Sequence, residues 1–176
     1  MNKLLVIIDM QNDFIDGSLA NLDAVKIVPR IVELAKTWNG RIIFTRDTHR
    51  AEYLTTQEGK YLPVEHCIFE TDGWQINEDI HTAALNNAAA TVSYVDKPAF
   101  GAGTLLYDEI MRVGEPAEVT FTGTCTDICV VSNALILKSL LPETPMSVVA
   151  DCCAGLTKEK HNSALDVMNS CQINVI

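Results

Sequence analysis

Six short apolar runs, separated by longer segments of mostly helical periodicity, constrain this chain more than any other feature. Lys3 to Asp9 (KLLVIID) is a continuous apolar stretch ending in a carboxylate, the pattern of a strand covered on both faces. Comparable runs follow at Arg41–Thr45, Thr91–Val95, Val119–Thr122, Met146–Ala150 and Gln172–Ile176. Between them the pattern predicts helices from Asp23, as cap, to about Trp38, over Ile76–Ala89, over Thr104–Val113, after Gly123, and over Lys158–Asn169 behind a Thr157 cap. Pro29 is expected in or just after the first turn or two of its helix. Alternating strands and helices specify an α/β fold with three α/β/α layers. The expected core is a six-stranded, mostly parallel, Rossmann-like sheet, with right-handed crossovers placing helices on both faces.

A chain of 176 residues fits one domain, 1–176, with a sizeable core. The net charge of −10 disfavours nucleic acid and anionic membranes, both of which need a basic face. No apolar run is long enough to span a bilayer, and the first is followed by no small-residue cleavage site, so the expected location is cytoplasmic. Six cysteines without a visible signal peptide are expected to be reduced thiols. No glycine pattern forms a nucleotide-cradling loop.

In open parallel sheets, ligands bind beyond the carboxyl ends of the strands. Those ends here carry Asp9, then Asp47 and His49, then Lys97, and then Cys129 after the fourth strand. In EVTFTGTCTDICVVSNALILKSLL, Gly123 and Thr124 allow a tight turn, and Thr126 and Asp127 are candidate caps for the next helix. Cys129 then falls at the start of that helix, where free N–H groups and the dipole favour a thiolate. A carboxylate, a lysine and a cysteine on one rim suggest acyl transfer: Asp9 takes the thiol proton, the thiolate attacks a carbonyl, and backbone N–H groups receive the oxyanion. The alternative for each residue is ordinary: a small buried thiol, a loop-tying carboxylate and an exposed turn lysine.

The segments LLVIIDMQNDF with DGSLA, RDTH, PVEHC, VDKPAFGA and TGTCTDICV occur in this order over nearly the whole chain. Together they resemble the isochorismatase-like cysteine hydrolases, and within them the nicotinamidase branch. The resemblance implies that fold and a triad of Asp9, Lys97 and Cys129. It further implies an oxyanion hole from the backbone N–H groups of Cys125 and Cys129, with a cis peptide between Thr124 and Cys125. Phe14 would form a pocket wall with Phe100. A divalent metal, usually zinc, would be held by Asp47, His49 and His66. Some members add a glutamate, for which Glu58 is the candidate although its spacing to His66 is one residue off.

The implied activity is cysteine-dependent hydrolysis of a small amide to acid and ammonia through a thioester, with nicotinamide the leading substrate. The alternatives are another small amide, isochorismatase chemistry, or a non-catalytic binding protein of the same fold. Members often form dimers or larger assemblies, so a homo-oligomer is expected. The stretch IFETDGWQI after His66-Cys67 departs from the usual glycine- and threonine-rich sequence and puts the substrate in question. Cys67, Cys152, Cys153 and Cys171 read as structural, and His81 and His161 as helix-surface residues.

Overall fold

The computed structural model describes residues 2–176. Its strands are β1 (Lys3–Ile8), β2 (Gly40–Asp47), β3 (Ala90–Lys97), β4 (Glu118–Thr124), β5 (Met146–Ala154) and β6 (Ile173–Val175). They form one sheet in the order β3-β2-β1-β4-β5-β6, with every described pairing parallel. The chain therefore winds outward from β1 in one direction, then restarts at β4 on its other side. That reversal creates a switch point between the carboxyl ends of β1 and β4, where a crevice must open.

The helices are α1 (Asn12–Ile15), α2 (Leu22–Thr37), α3 (Gln57–Tyr61), α4 (Glu78–Leu85), α5 (Thr104–Met111), α6 (Val131–Leu140) and α7 (Lys158–Ser170). Side chains alternate across β1 and build two cores. Leu5 and Ile7 pack with Ile27, Ile31 and Ile80 from α2 and α4. Leu4, Val6 and Ile8 pack with Leu106, Ala134, Leu137 and Met168 from α5, α6 and α7. With both faces covered, Leu4 to Ile8 are fully buried, which is why β1 reads as an unbroken apolar run.

Several boundaries differ from those the sequence suggests. Asn21, not Asp23, caps α2: its side chain accepts from the Asp23 N–H, leaving Asp23 in the first turn. Pro29 is the eighth residue of α2, just after its second turn as expected, on the exposed side where water can reach the carbonyl it releases. The helix expected over Ile76–Ala89 shrinks to α4, because Ile76 is held in a bridge to Gln11. MQNDFIDGSLAN is not wholly loop, since it contains α1. β5 runs past Ala150 to Ala154: after a register shift, Cys153 and Ala154 pair with Gly123 and Thr124.

The histidines outside the rim are not simple surface groups. His81 is half-buried against Phe44, with Nε2 2.6 Å from the Tyr94 hydroxyl. His161 Nδ1 lies 2.8 Å from Thr126 Oγ1 and ties α7 to the turn after β4. Cys171 is exposed and packs in neither core. All six cysteines are free thiols. No helix among the described residues is long and apolar enough to cross a membrane.

Candidate active site

Asp9 leaves β1 in a left-handed conformation, φ 49°, which aspartate tolerates better than most residues. Its side chain is fully buried. Thr45 on β2 donates its hydroxyl to Asp9 Oδ1 at 2.6 Å. Oδ2 meets Lys97 Nζ at 2.7 Å as an ion pair without an aligned hydrogen bond, which leaves that oxygen free to accept another proton. Lys97, also fully buried, stands 3.3 Å from Asp47 Oδ1, donates to the Ala99 carbonyl, and lies 3.6 Å from Cys129 Sγ. The three residues expected at adjacent strand ends therefore meet around one ammonium group.

Burial is the largest influence on each of them. It pushes the Asp9 carboxyl above its ordinary value, and the charge of Asp47 adds to this while Lys97 opposes it. Burial alone would lower Lys97, but the charges of Asp9, Cys129 and Asp47 hold it protonated above its ordinary value. Burial and the Asp9 charge push the Cys129 thiol well up. Burial thus opposes the thiolate preference expected of a helix start, and a thiol here would need a base. A high-lying carboxylate with a free lone pair is suited to that task.

β4 ends in a cis peptide between Thr124 and Cys125. A π-helical turn, Thr126–Val130, then carries Cys129 before α6 begins. Neither Thr126 nor Asp127 caps it, because distant partners hold both. Thr126 meets His161, and Asp127 Oδ1 accepts from the Leu156 N–H. The cap position is Cys125, whose thiol burial pushes up to about 11. Cys125 is thus the cap of this turn and Cys129 its fourth residue.

Asp47, His49, Glu58 and His66 form a second cluster whose ligand atoms all lie within 4.8 Å of one another. His49 Nε2 is 3.1 Å from Asp47 Oδ2 and 3.6 Å from Glu58 Oε1; His66 Nε2 is 3.7 and 3.8 Å from the same two oxygens. Glu58 comes from α3, which forms inside the long polar segment behind a Thr56 cap and brings the off-spaced glutamate into the group. His66 Nδ1 lies 2.8 Å from the Val64 carbonyl, so Nδ1 carries the proton and the Nε2 lone pair faces the cluster. Burial raises Asp47, but the hydrogen bond from His49, the closeness of His66 and the Lys97 charge hold it well below the usual carboxylate range. Two imidazole nitrogens and two carboxylate oxygens around one point fit a divalent cation, zinc included.

A cavity of about 210 Å³ opens above Cys129 and reaches Asp47, Glu58 and His66. Phe14 and Phe100 line it as expected. Leu19, Leu62, Ile128 and Leu156 line it too, with no sequence signal to separate them from ordinary loop and helix leucines and isoleucines. Two buried amides support the site unannounced. Gln11 clamps Asp47 by accepting from its N–H at 2.7 Å and donating to its carbonyl at 2.9 Å. Asn133 donates to the Cys129 and Phe100 carbonyls and accepts from the Ala102 N–H. A lone amide in a mostly apolar helix was the one available hint of Asn133.

A family model described as "Isochorismatase domain" matches residues 3–176. No curated protein sequence matches the chain. Among solved structures, the chain is similar to a nicotinamidase/pyrazinamidase from Bacillus subtilis, at 26% identity and TM-score 0.84, covering 99% of both chains. It is similar to a pyrazinamidase from Pyrococcus horikoshii solved in complex with zinc, at 25% identity and TM-score 0.80, covering 100% of this chain and 99% of that one. It shares its fold with an N-carbamoylsarcosine amidase from Thermoplasma acidophilum, at 23% identity and TM-score 0.74, covering 99% and 95%.

Proposed function

Because the chain belongs to the isochorismatase domain family, we propose that it is a cysteine amidohydrolase that converts nicotinamide to nicotinate and ammonia. One observation carries this reading: a buried carboxylate, ammonium and thiol converge beneath a small apolar cavity at the sheet's switch point. Asp9 takes the Cys129 proton as the thiolate attacks the carboxamide carbon. Backbone N–H groups of Cys125 and Cys129 receive the developing oxyanion. Asp9 returns the proton to the nitrogen, ammonia leaves, and the acyl group stays on Cys129 as a thioester. Water then attacks with Asp9 as base, releasing the acid and restoring the thiol. Lys97 keeps its proton throughout and holds Asp9 in place.

Asp47, His49, Glu58 and His66 are the residues that would hold a divalent metal, and we propose zinc. When bound, it would supply a Lewis-acid anchor for the pyridine nitrogen. His66→Ala is expected to weaken zinc binding by more than the roughly 10–100-fold typical of losing an outer-shell partner. Metal content after dialysis checks this, and a variant that retained stoichiometric zinc would remove His66 from the set.

Isochorismate and N-carbamoylsarcosine both carry carboxylates. Among the described residues no cationic side chain lines the cavity, while Asp47 and Glu58 do. A largely apolar cavity with no lysine or arginine to pair a carboxylate penalises such substrates. The test is ammonia release from nicotinamide by zinc-supplied protein, beside a panel of neutral and anionic small amides. Preferred turnover of nicotinamide is the expected result; turnover only of an anionic amide would overturn the reading.

A further inference from the structure

The cavity above Cys129 does not end where a bare ring would. Leu62, Phe100 and Leu156 line it, yet their side chains remain 37%, 47% and 53% exposed at its mouth. Three apolar residues thus both line the cavity and reach solvent. The one uncharged amide in the lining, Asn21, is already committed. It donates to the Gly155 carbonyl at 3.0 Å and accepts from the Asp23 N–H at 2.9 Å. The deeper Lys97 is held between Asp9 and Asp47.

Polar recognition is therefore confined to the thiols of Cys125 and Cys129 and to Asp47, Glu58 and His66, and the rest of the lining has only carbon to offer. We infer that this site selects neutral aromatic carboxamides bearing a short apolar substituent, which lies across Leu62, Phe100 and Leu156, and that it rejects carboxylate-bearing analogues. This deepens the amidohydrolase reading and rests on it for the carboxamide. The inference about the mouth rests on the leucine and phenylalanine surface alone. Covering that surface removes apolar area from water on both partners. At the transfer cost of a methylene, reduced because the mouth is half open, affinity should rise about two- to fourfold per added carbon. A ring carboxylate would meet the same apolar surface unpaired and should lose about 100-fold.

Binding to the Cys129→Ala protein, with zinc supplied, measures this without requiring turnover. Isothermal titration calorimetry would compare nicotinamide with its methyl, ethyl and carboxylate derivatives, substituted at the ring carbon meta to both the carboxamide and the ring nitrogen. The expected result is Kd falling about two- to fourfold with each carbon and rising about 100-fold with the carboxylate. Leu62→Ser with Leu156→Ser in the same background should collapse the gain per carbon towards one while the carboxylate penalty persists. A flat or reversed alkyl series, a carboxylate bound as tightly as the parent, or an undiminished gain in the serine variant would each overturn the inference. Nicotinamide turnover by the unsubstituted protein is scored separately. Turnover with a flat series rejects the mouth and keeps the amidohydrolase; an intact series without turnover does the reverse.

Discussion

Lys97→Met is expected to lower stability by about 3–5 kcal/mol, because it removes the cation from between two buried carboxylates. Asp9 lies 2.7 Å and Asp47 3.3 Å from Nζ, and all three side chains are essentially inaccessible to water. Methionine fills much the same volume, so the loss reports charge rather than a cavity. For a chain of this length that corresponds to roughly 6–20 °C in Tm. Bound zinc would neutralise part of the Asp47 charge, so added zinc should recover some of the deficit. A thermal scan with and without zinc checks both effects, and an unchanged Tm in the metal-free variant would show that the two carboxylates are not both ionised. Amide hydrolysis should fall in parallel by about a thousandfold or more, because the ammonium that holds Asp9 is gone.

Gly123→Ala is the second large effect. Gly123 sits in β4 at φ 121°, opposite Ile8 of β1, and an added Cβ would be driven into the Ile8 carbonyl oxygen. No flexible side chain can yield there, since the obstacle is the backbone of the central strand. Overpacking and the disfavoured φ together should cost about 2–5 kcal/mol. The strain falls two residues before Cys125, so activity should drop even in the fraction that folds. Denaturant unfolding measures the first effect and specific activity of the folded fraction the second. A variant within about 0.5 kcal/mol of the parent, the range of ordinary surface changes, would mean that β1 and β4 can separate freely at the switch point.

The strands were legible in the sequence because parallel strands covered on both faces must be apolar throughout, as Leu4 to Ile8 are. Their order was less accessible, yet the residues at their carboxyl ends were enough to gather Asp9, Lys97 and Cys129. Local rules failed where distant groups competed. Thr126 and Asp127 have good cap chemistry, but His161 and the Leu156 N–H hold their oxygens instead. Asp23 lost its capping place to Asn21, whose amide also reaches Gly155 more than a hundred residues away. Glu58 looked misplaced by linear spacing because the short helix that carries it could not be read from a polar segment. The cavity's leucines gave no signal, since a leucine at a pocket mouth and one on a helix surface look alike in sequence. The triad roles and the metal set were legible chiefly through the family resemblance. The fold brings those residues together at the switch point.

Ammonia release by Cys129→Ala, set beside the parent protein under the same zinc supply, tests the central claim most directly. The substitution removes one buried sulfur while leaving Asp9, Lys97 and the metal cluster in place, and matched unfolding curves would establish that both proteins are folded. Loss of nicotinamide hydrolysis by at least about a thousandfold is the expected result, the scale set by removing a covalent nucleophile. Hydrolysis at a comparable rate would contradict nucleophilic catalysis by this cysteine.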